Sequence, residues 1–320
     1  MVTELAFSIG ARVKTANTED HMKPLEGKVA VVAGASRGAG RGIALALGEA
    51  GATVYATGRT RRGGPKPRDN AAGNIDDTAD EISARGGKGI AIGADYTKEE
   101  DVERVFAQVE REHGRVDVLA NAVWGMCDQY SDGSEFFGTW GRPFWETPVS
   151  AWGNMMMAGP FAYFAASVHA ARLMAKAGKG LIVGITDGIM AKGDEPAPDP
   201  NVLGPYGGQL LFDLAHICIN RMLNGMSVEG KKQKIAVVTL MPGFMRTERV
   251  SQYLSTEQLR KQMGFEKTES TEFVGRAVAA LAADPKVMKK SGRIHFVADL
   301  AREYGFTDVD GRQVPRFAFA

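Results

Sequence analysis

The sequence predicts an α/β fold with one doubly wound, parallel sheet and helices on both of its faces. Three observations predict it. From Lys28 onward, short apolar runs alternate with helix-like stretches, the order that makes parallel βαβ units. A glycine-rich turn follows the first apolar run and opens the first helical stretch. No composition break and no internal repeat divides the 320 residues, which predicts one domain over residues 28–320 behind an N-terminal extension of residues 1–27.

Each element has its own signal. Val29–Ala33 is a short apolar strand closed by glycine, and Ile43–Ala50 is an Ala- and Leu-rich helix. Thr53–Thr57 is the second strand. A helix starting near Asp77 closes at Ile82–Ala84, and Gly89–Ile92 is the third strand. Thr97 opens the next helix, with Glu100 three positions on as in a capping box. Val102, Val105, Phe106 and Val109 follow at helical spacing. Val116–Ala120 is the fourth strand, Ala151–Lys176 reads as one long helix, and Leu181–Ile185 is the fifth strand. Tyr206–Asn224 is a helix with a wide apolar stripe, and Ile235–Leu240 and Ile294–Val297 complete the sheet.

Composition removes several function classes. Lys and Arg total 39 against 38 Asp and Glu, a net charge of +1 that argues against a nucleic-acid partner. No CxxC and no Cys/His cluster surrounds Cys127 or Cys218, so neither a metal site nor a disulfide scaffold is expected. No apolar run is long enough for a membrane helix, and the N-terminus lacks the order of a secretory signal, so a cytoplasmic setting is expected. Within the polar extension, His21-Met22 is what a common cloning site encodes, and Lys23-Pro24-Leu25-Glu26-Gly27 has the look of a natural start.

The strongest motif is Ala33-Gly34-Ala35-Ser36-Arg37-Gly38-Ala39-Gly40. Between a strand and a helix, its glycines permit a tight turn and let backbone N–H groups approach a pyrophosphate at the positive end of the helix dipole. The end of the second strand then chooses the cofactor. An acidic residue there selects NAD by binding the ribose hydroxyl. Here Thr57-Gly58-Arg59 stands instead, and Arg59 with Arg37 suits the extra phosphate of NADPH/NADP+. Arg61, Arg62, Lys66 and Arg68 read as a solvated basic loop.

These spacings resemble the short-chain dehydrogenase/reductase family, of Rossmann type, from about Lys28 to Val297. Gly34, Ser36, Arg37, Gly38 and Gly40 fit its TGxxxGxG loop, with Ala33 in place of Thr. Asp95-Tyr96 fits its adenine-contacting Asp, and Asn121 keeps one amide of its NNAG motif. Pro242-Gly243 with Thr247 fits the PGxxxT loop that the family sets beside the nicotinamide. Phe144-Trp145-Glu146-Thr147-Pro148 and the tail from Leu300 to Arg312 resemble the branch named for member one of the dehydrogenase/reductase set. The resemblance implies a small-molecule substrate and a homodimer or homotetramer paired through the Ala151–Lys176 and Tyr206–Asn224 helices.

The family's Asn–Ser–Tyr–Lys tetrad is not intact. YxxxK reads Tyr206-Gly207-Gly208-Gln209-Leu210, which puts Leu210 at the lysine. Asp187 stands at the serine, with Thr186 before it, and Gly159 at the asparagine. An unassisted phenol titrates near ~10, and an ionised Asp187 would favour its neutral form. Such a site leans towards reduction, and a carboxylate facing the nicotinamide suits a cationic group such as an iminium carbon. His216, ten residues past Tyr206 and so about 15 Å along a helix, reads as structural, like Cys218. Lys192 lies in a loop, and Gln209 has the reach to bond a ribose. Asp187 also fits a loop cap or a pair with Lys192, and Tyr206 a mere pocket wall. Three readings stay open: reduction of a C=O or C=N group, non-redox chemistry of isomerase or dehydratase type, and a non-catalytic NADP(H) binder.

Between Trp124 and Trp145 stand seven aromatics, where the chain average of 8% would place about two. The segment follows the fourth strand, beside the crevice that binds ligands in this fold. It reads either as a cover for an aromatic or fused-ring substrate or as a subunit interface.

Overall fold

The computed structural model describes residues 22–67, 69–125, 138–187, 206–253, 256–257, 261, 264 and 267–317. Seven parallel strands form one sheet: β1 (Val29–Ala33), β2 (Thr53–Gly58), β3 (Lys88–Gly93), β4 (Val118–Asn121), β5 (Gly180–Ile185), β6 (Ile235–Met241) and β7 (Ile294–Phe296). Their spatial order is β3-β2-β1-β4-β5-β6-β7, so the expected doubly wound architecture stands. The helices are α1 (Gly38–Glu49), α2 (Ile75–Ala84), α3 (Glu99–His113), α4 (Ser150–Met156), α5 (Ala162–Ala177), α6 (Leu210–Gly230), α7 (Glu248–Tyr253), α8 (Thr271–Ala283) and α9 (Val297–Tyr304).

Strand side chains alternate between the two faces, and both faces are covered. Val32, Val54, Val118 and Val238 pack under α1, α8 and α9 through Ile43, Leu45, Phe273, Val278 and Leu300. Val31, Tyr55, Leu119, Ile182 and Val237 pack under α3, α5 and α6 through Val105, Phe106, Ala166, Leu173, Ile219 and Leu223. Leu25 joins the first core, and its N–H donates to Ala50 O at 2.8 Å, so Lys23–Gly27 packs with the sheet.

Four local features depart from the sequence reading. Thr97 does not cap α3; its hydroxyl donates to Asp95 Oδ1 at 2.8 Å, and Lys98 takes the N-cap position. The expected long helix over 151–176 is broken by an i→i+5 turn at Met157–Phe161 that contains Pro160. Ala158 has non-helical dihedrals there, and its carbonyl accepts from Gly125 N–H at 3.0 Å. The helix expected from Tyr206 begins at Leu210, because the Gln209 side chain accepts from Phe212 N–H at 2.6 Å and caps it. Finally, α7, α8 and α9 add to the sequence expectation. α1 and α8 cross closely: a β-carbon at Gly42 would stand 1.9 Å from Thr271 O, and one at Gly275 would stand 2.3 Å from Gly42 O.

Candidate functional site

The strand order reverses direction between β1 and β4, and ligands of doubly wound sheets bind at the carboxyl ends of such neighbours. The glycine turn leaves β1 at that point. Gly34 has φ of 85°, and its N–H and that of Ala35 donate to Thr57 O at 3.0 and 2.8 Å. A β-carbon at Gly40 would stand 2.1 Å from Gly34 O, so the turn folds back on α1 only with glycine there. Ser36 is buried in the same turn. Gly38 N–H, at the start of α1, donates to the Glu248 carboxylate at 2.8 Å. An acidic side chain thus rests where a helix start attracts anions. Turn, glycines and bound carboxylate together fit a dinucleotide pyrophosphate.

The other expected cofactor residues border this turn in different ways. The Arg37 guanidinium donates to Ala72 O at 2.9 Å, Thr60 Oγ1 at 3.2 Å and Gly73 O at 2.9 Å, which holds the cation at the end of β2. Arg59, the residue after β2, is exposed. Arg61 pairs with Asp76, and Arg62 with Asp77 and Asp80, so both are committed to the start of α2. Asp95 follows β3 and accepts from Thr97. The Tyr96 ring is buried in the core, where its hydroxyl meets Thr57 Oγ1 at 2.6 Å and burial pushes its pKa up. Only its backbone is left to face a ligand. Asn121 lies opposite Ala33, and its Nδ2 donates to Ser167 Oγ at 3.1 Å.

After β6, the Pro242–Thr247 loop is held from behind. Gly243 N–H donates to Glu269 Oε2 at 3.0 Å, and the buried Asp308 accepts from Arg246 and from Ser270. Glu269 is itself fully buried, and desolvation is the main cause that pushes its pKa from 4.5 up to about 8. Asp308 adds to the rise, whereas Gly243 N–H and Arg246 oppose it. The folded chain therefore holds this proton more tightly than the unfolded chain. The resulting stability is fully present below pH 4.5 and is lost as the pH rises to about 8. Glu269→Gln should shrink the fall in melting temperature between pH 6 and pH 9 by several degrees. An unchanged pH profile would show that Glu269 titrates normally.

The residues expected at the reacting end begin where β5 ends. The Tyr163 phenol donates to Ile185 O at 3.0 Å and fixes the end of β5. Thr186 follows, buried, its N–H bonded to Leu240 O at 2.9 Å. The Asp187 side chain is 29% exposed, and its Oδ1 lies 3.7 Å from His216 Nδ1. That nitrogen also lies 2.9 Å from Phe212 O, and a carbonyl only accepts, so Nδ1 carries the hydrogen. Trp124 and Phe212 flank the imidazole at centroid distances of 4.4 and 4.3 Å. Asp213 is held above its usual range first by burial and then by the Asp187 charge. His216, expected to be structural, is buried and stands beside Asp187. Its distance from Tyr206 was measured along a helix that does not reach Tyr206.

Tyr206 is 61% exposed and lines an open cleft of about 500 Å³ with Arg142, Phe144, Trp145 and Leu210. Trp140 reaches the same stretch, donating from Nε1 to Gly207 O at 3.1 Å. A β-carbon at Gly159 would meet the Trp124 ring at 3.4 Å, so the position of the family's asparagine is covered by an indole. Gln209 is buried as a cap and does not offer its amide outward. Tyr130, Phe136, Phe137, Cys127, Lys192 and Arg68 lie outside the described residues. Among the described residues no His, Cys, Asp and Glu group could hold a metal ion, and no helix is long and apolar enough to cross a membrane.

The family model for short chain dehydrogenases matches residues 28–193. Dehydrogenase/reductase SDR family member 1 of Mus musculus is 36% identical over 303 residues, covering 91% of this chain and 86% of the relative. Its Homo sapiens counterpart is 34% identical with the same coverages. Among solved structures, a putative dehydrogenase from Xanthomonas campestris superposes with a TM-score of 0.69 at 21% identity, covering 92% of this chain and 96% of that one. The chain belongs to the short-chain dehydrogenase family, whose members are oxidoreductases that bind a nicotinamide cofactor. Within that family it resembles the member 1 branch.

Proposed function

We propose that the chain is an NADPH-dependent reductase of a C=O or C=N group in a small aromatic or cyclic substrate, with Asp187 and Tyr206 at the reacting end and no lysine in the family's place. The observation that carries this reading is the half-buried Asp187 carboxylate at the tip of β5, turned towards His216, with Leu210 where the family has a cation. When bound, the dinucleotide supplies the hydride. Asp187 places negative charge where a cationic carbon would sit, and Thr186 stiffens the strand end behind it. The Tyr206 phenol, with no lysine at the family's position beside it, serves as a proton donor and not as a base. Trp124, Trp140, Phe144 and Trp145 offer the apolar walls that a ring needs. Oxidation of NADPH is to be screened over ketones, quinones, enones and cyclic imines. Binding of NADPH with no turnover of any of these would sink the reading.

Arg59 and Arg37 at the end of β2 support the choice of NADPH over NADH. Arg59→Ala should weaken NADPH binding by about tenfold and NADH binding much less, measured by titration. Tighter binding of NADH by the unmodified chain would overturn that choice. The same reading pairs two or four copies through α4–α5 and α6, where Trp152, Phe164 and Val228 are exposed. Sedimentation at micromolar concentration should find no monomer.

A further inference from the structure

Three adjacent residues after the Pro242-Gly243 loop are clamped across the cofactor cleft. The Thr247 methyl lies against Gly38, 3.6 Å from where a β-carbon would stand. The Glu248 carboxylate takes Gly38 N–H at 2.8 Å. Arg249 pairs with the buried Asp69, on the loop between β2 and α2 that Arg37 also holds. Thr247 Oγ1 accepts from Val250 N–H at 3.1 Å, so the first turn of α7 is rigidly joined to this clamp. α7 therefore rests on both walls of the cleft: on the glycine turn through Glu248, and on the second loop through Arg249.

Gly38 N–H belongs to the donor set that the glycine turn offers to a pyrophosphate. One N–H does not serve two anions, and two anions at hydrogen-bond spacing repel. We infer that Glu248 is a built-in competitor for the dinucleotide pyrophosphate, and that binding the dinucleotide unseats Glu248 and frees the start of α7. The inference rests on the dinucleotide reading of the glycine turn but not on the choice of substrate. It ties arrival of the cofactor to movement of the segment that follows the Pro242-Gly243 loop. It also sets the affinity lower than the bare cradle would give, because a charge-assisted hydrogen bond must be broken first.

Calorimetric titration of the full chain with NADP+, NAD+ and adenosine 2′-monophosphate tests this. Glu248→Gln keeps the size and the acceptor oxygen but removes the charge, and Glu248→Ala removes both. Both variants should bind NADP+ about tenfold more tightly than the unmodified chain. Adenosine 2′-monophosphate has no pyrophosphate, and its affinity should stay unchanged. Amide hydrogen exchange over 248–253 should quicken when NADP+ is added to the unmodified chain and already be quick in Glu248→Ala. A dinucleotide affinity that is unchanged or weaker in Glu248→Gln overturns the inference, since a purely structural cap would lower the melting temperature without tightening binding. Failure of the unmodified chain and both variants to bind either dinucleotide overturns the dinucleotide reading and the inference with it.

Discussion

Tyr206→Phe is expected to lower kcat/KM for ketone reduction by about 10²–10⁴, the usual cost of losing a general acid, and to lower cyclic-iminium reduction much less. A hydride reaching an iminium carbon needs no proton at that moment, whereas a ketone oxygen does. Asp187→Ser is expected to act the other way. It removes the charge that favours a cation and restores a neutral hydroxyl at the tip of β5. His216→Phe keeps a ring between Trp124 and Phe212 but removes the imidazole whose Nδ1, bonded to Phe212 O, lies 3.7 Å from Asp187 Oδ1, so it should share part of the Asp187→Ser effect on iminium substrates. Paired rates with one ketone and one cyclic imine read all three variants. If Asp187→Asn and Tyr206→Phe leave every NADPH-dependent rate intact, neither residue is at the reacting end.

Gly42→Val is expected to give the largest loss of stability, about 3 kcal/mol or more. The obstacle is backbone, Thr271 O at 1.9 Å from the added β-carbon, and Gly275 closes on the Gly42 carbonyl from the other helix. A flexible side chain could turn aside; a carbonyl in the first turn of α8 moves only with its helix. Phe273, Val278 and Leu281 would then leave the core that they share with β1 and β2. Urea unfolding measures the loss. A midpoint within a few tenths molar of the unmodified chain would mean that the helices part freely.

Much of the architecture was legible because strand and helix periods differ. Val29–Ala33 and Ile235–Leu240 are too short and too branched for helices, and Val102, Val105, Phe106 and Val109 mark one helical stripe. The glycine turn was legible because its spacing is local. His216 was not, since its meeting with Asp187 depends on where α6 begins, and that is set by Gln209 turning back on Phe212 N–H. Glu248 was invisible for a related reason: it lies 210 positions from Gly38, and only the fold brings them together. Glu269 looks in the sequence like any acidic residue before a helix, and only burial makes it a tightly held proton.

The turn at Pro160 gives one sequence pattern two jobs. At about 100° per residue, Ala151, Met155, Ala162 and Ala166 would fall on a single stripe of an uninterrupted helix. The wider turn rotates the phase between the two halves. Ala151 and Met155 therefore close on Leu211, Ala215 and Trp124, while Ala162 and Ala166 close on the sheet. Angular phase here acts like a gear between the main core and the smaller cluster around Trp124. A one-residue deletion between Met157 and Phe161 would leave the composition of that stripe intact and turn Met155 away from Trp124. The packing around Trp124 would thus be retuned by winding alone, with no side chain of that cluster replaced.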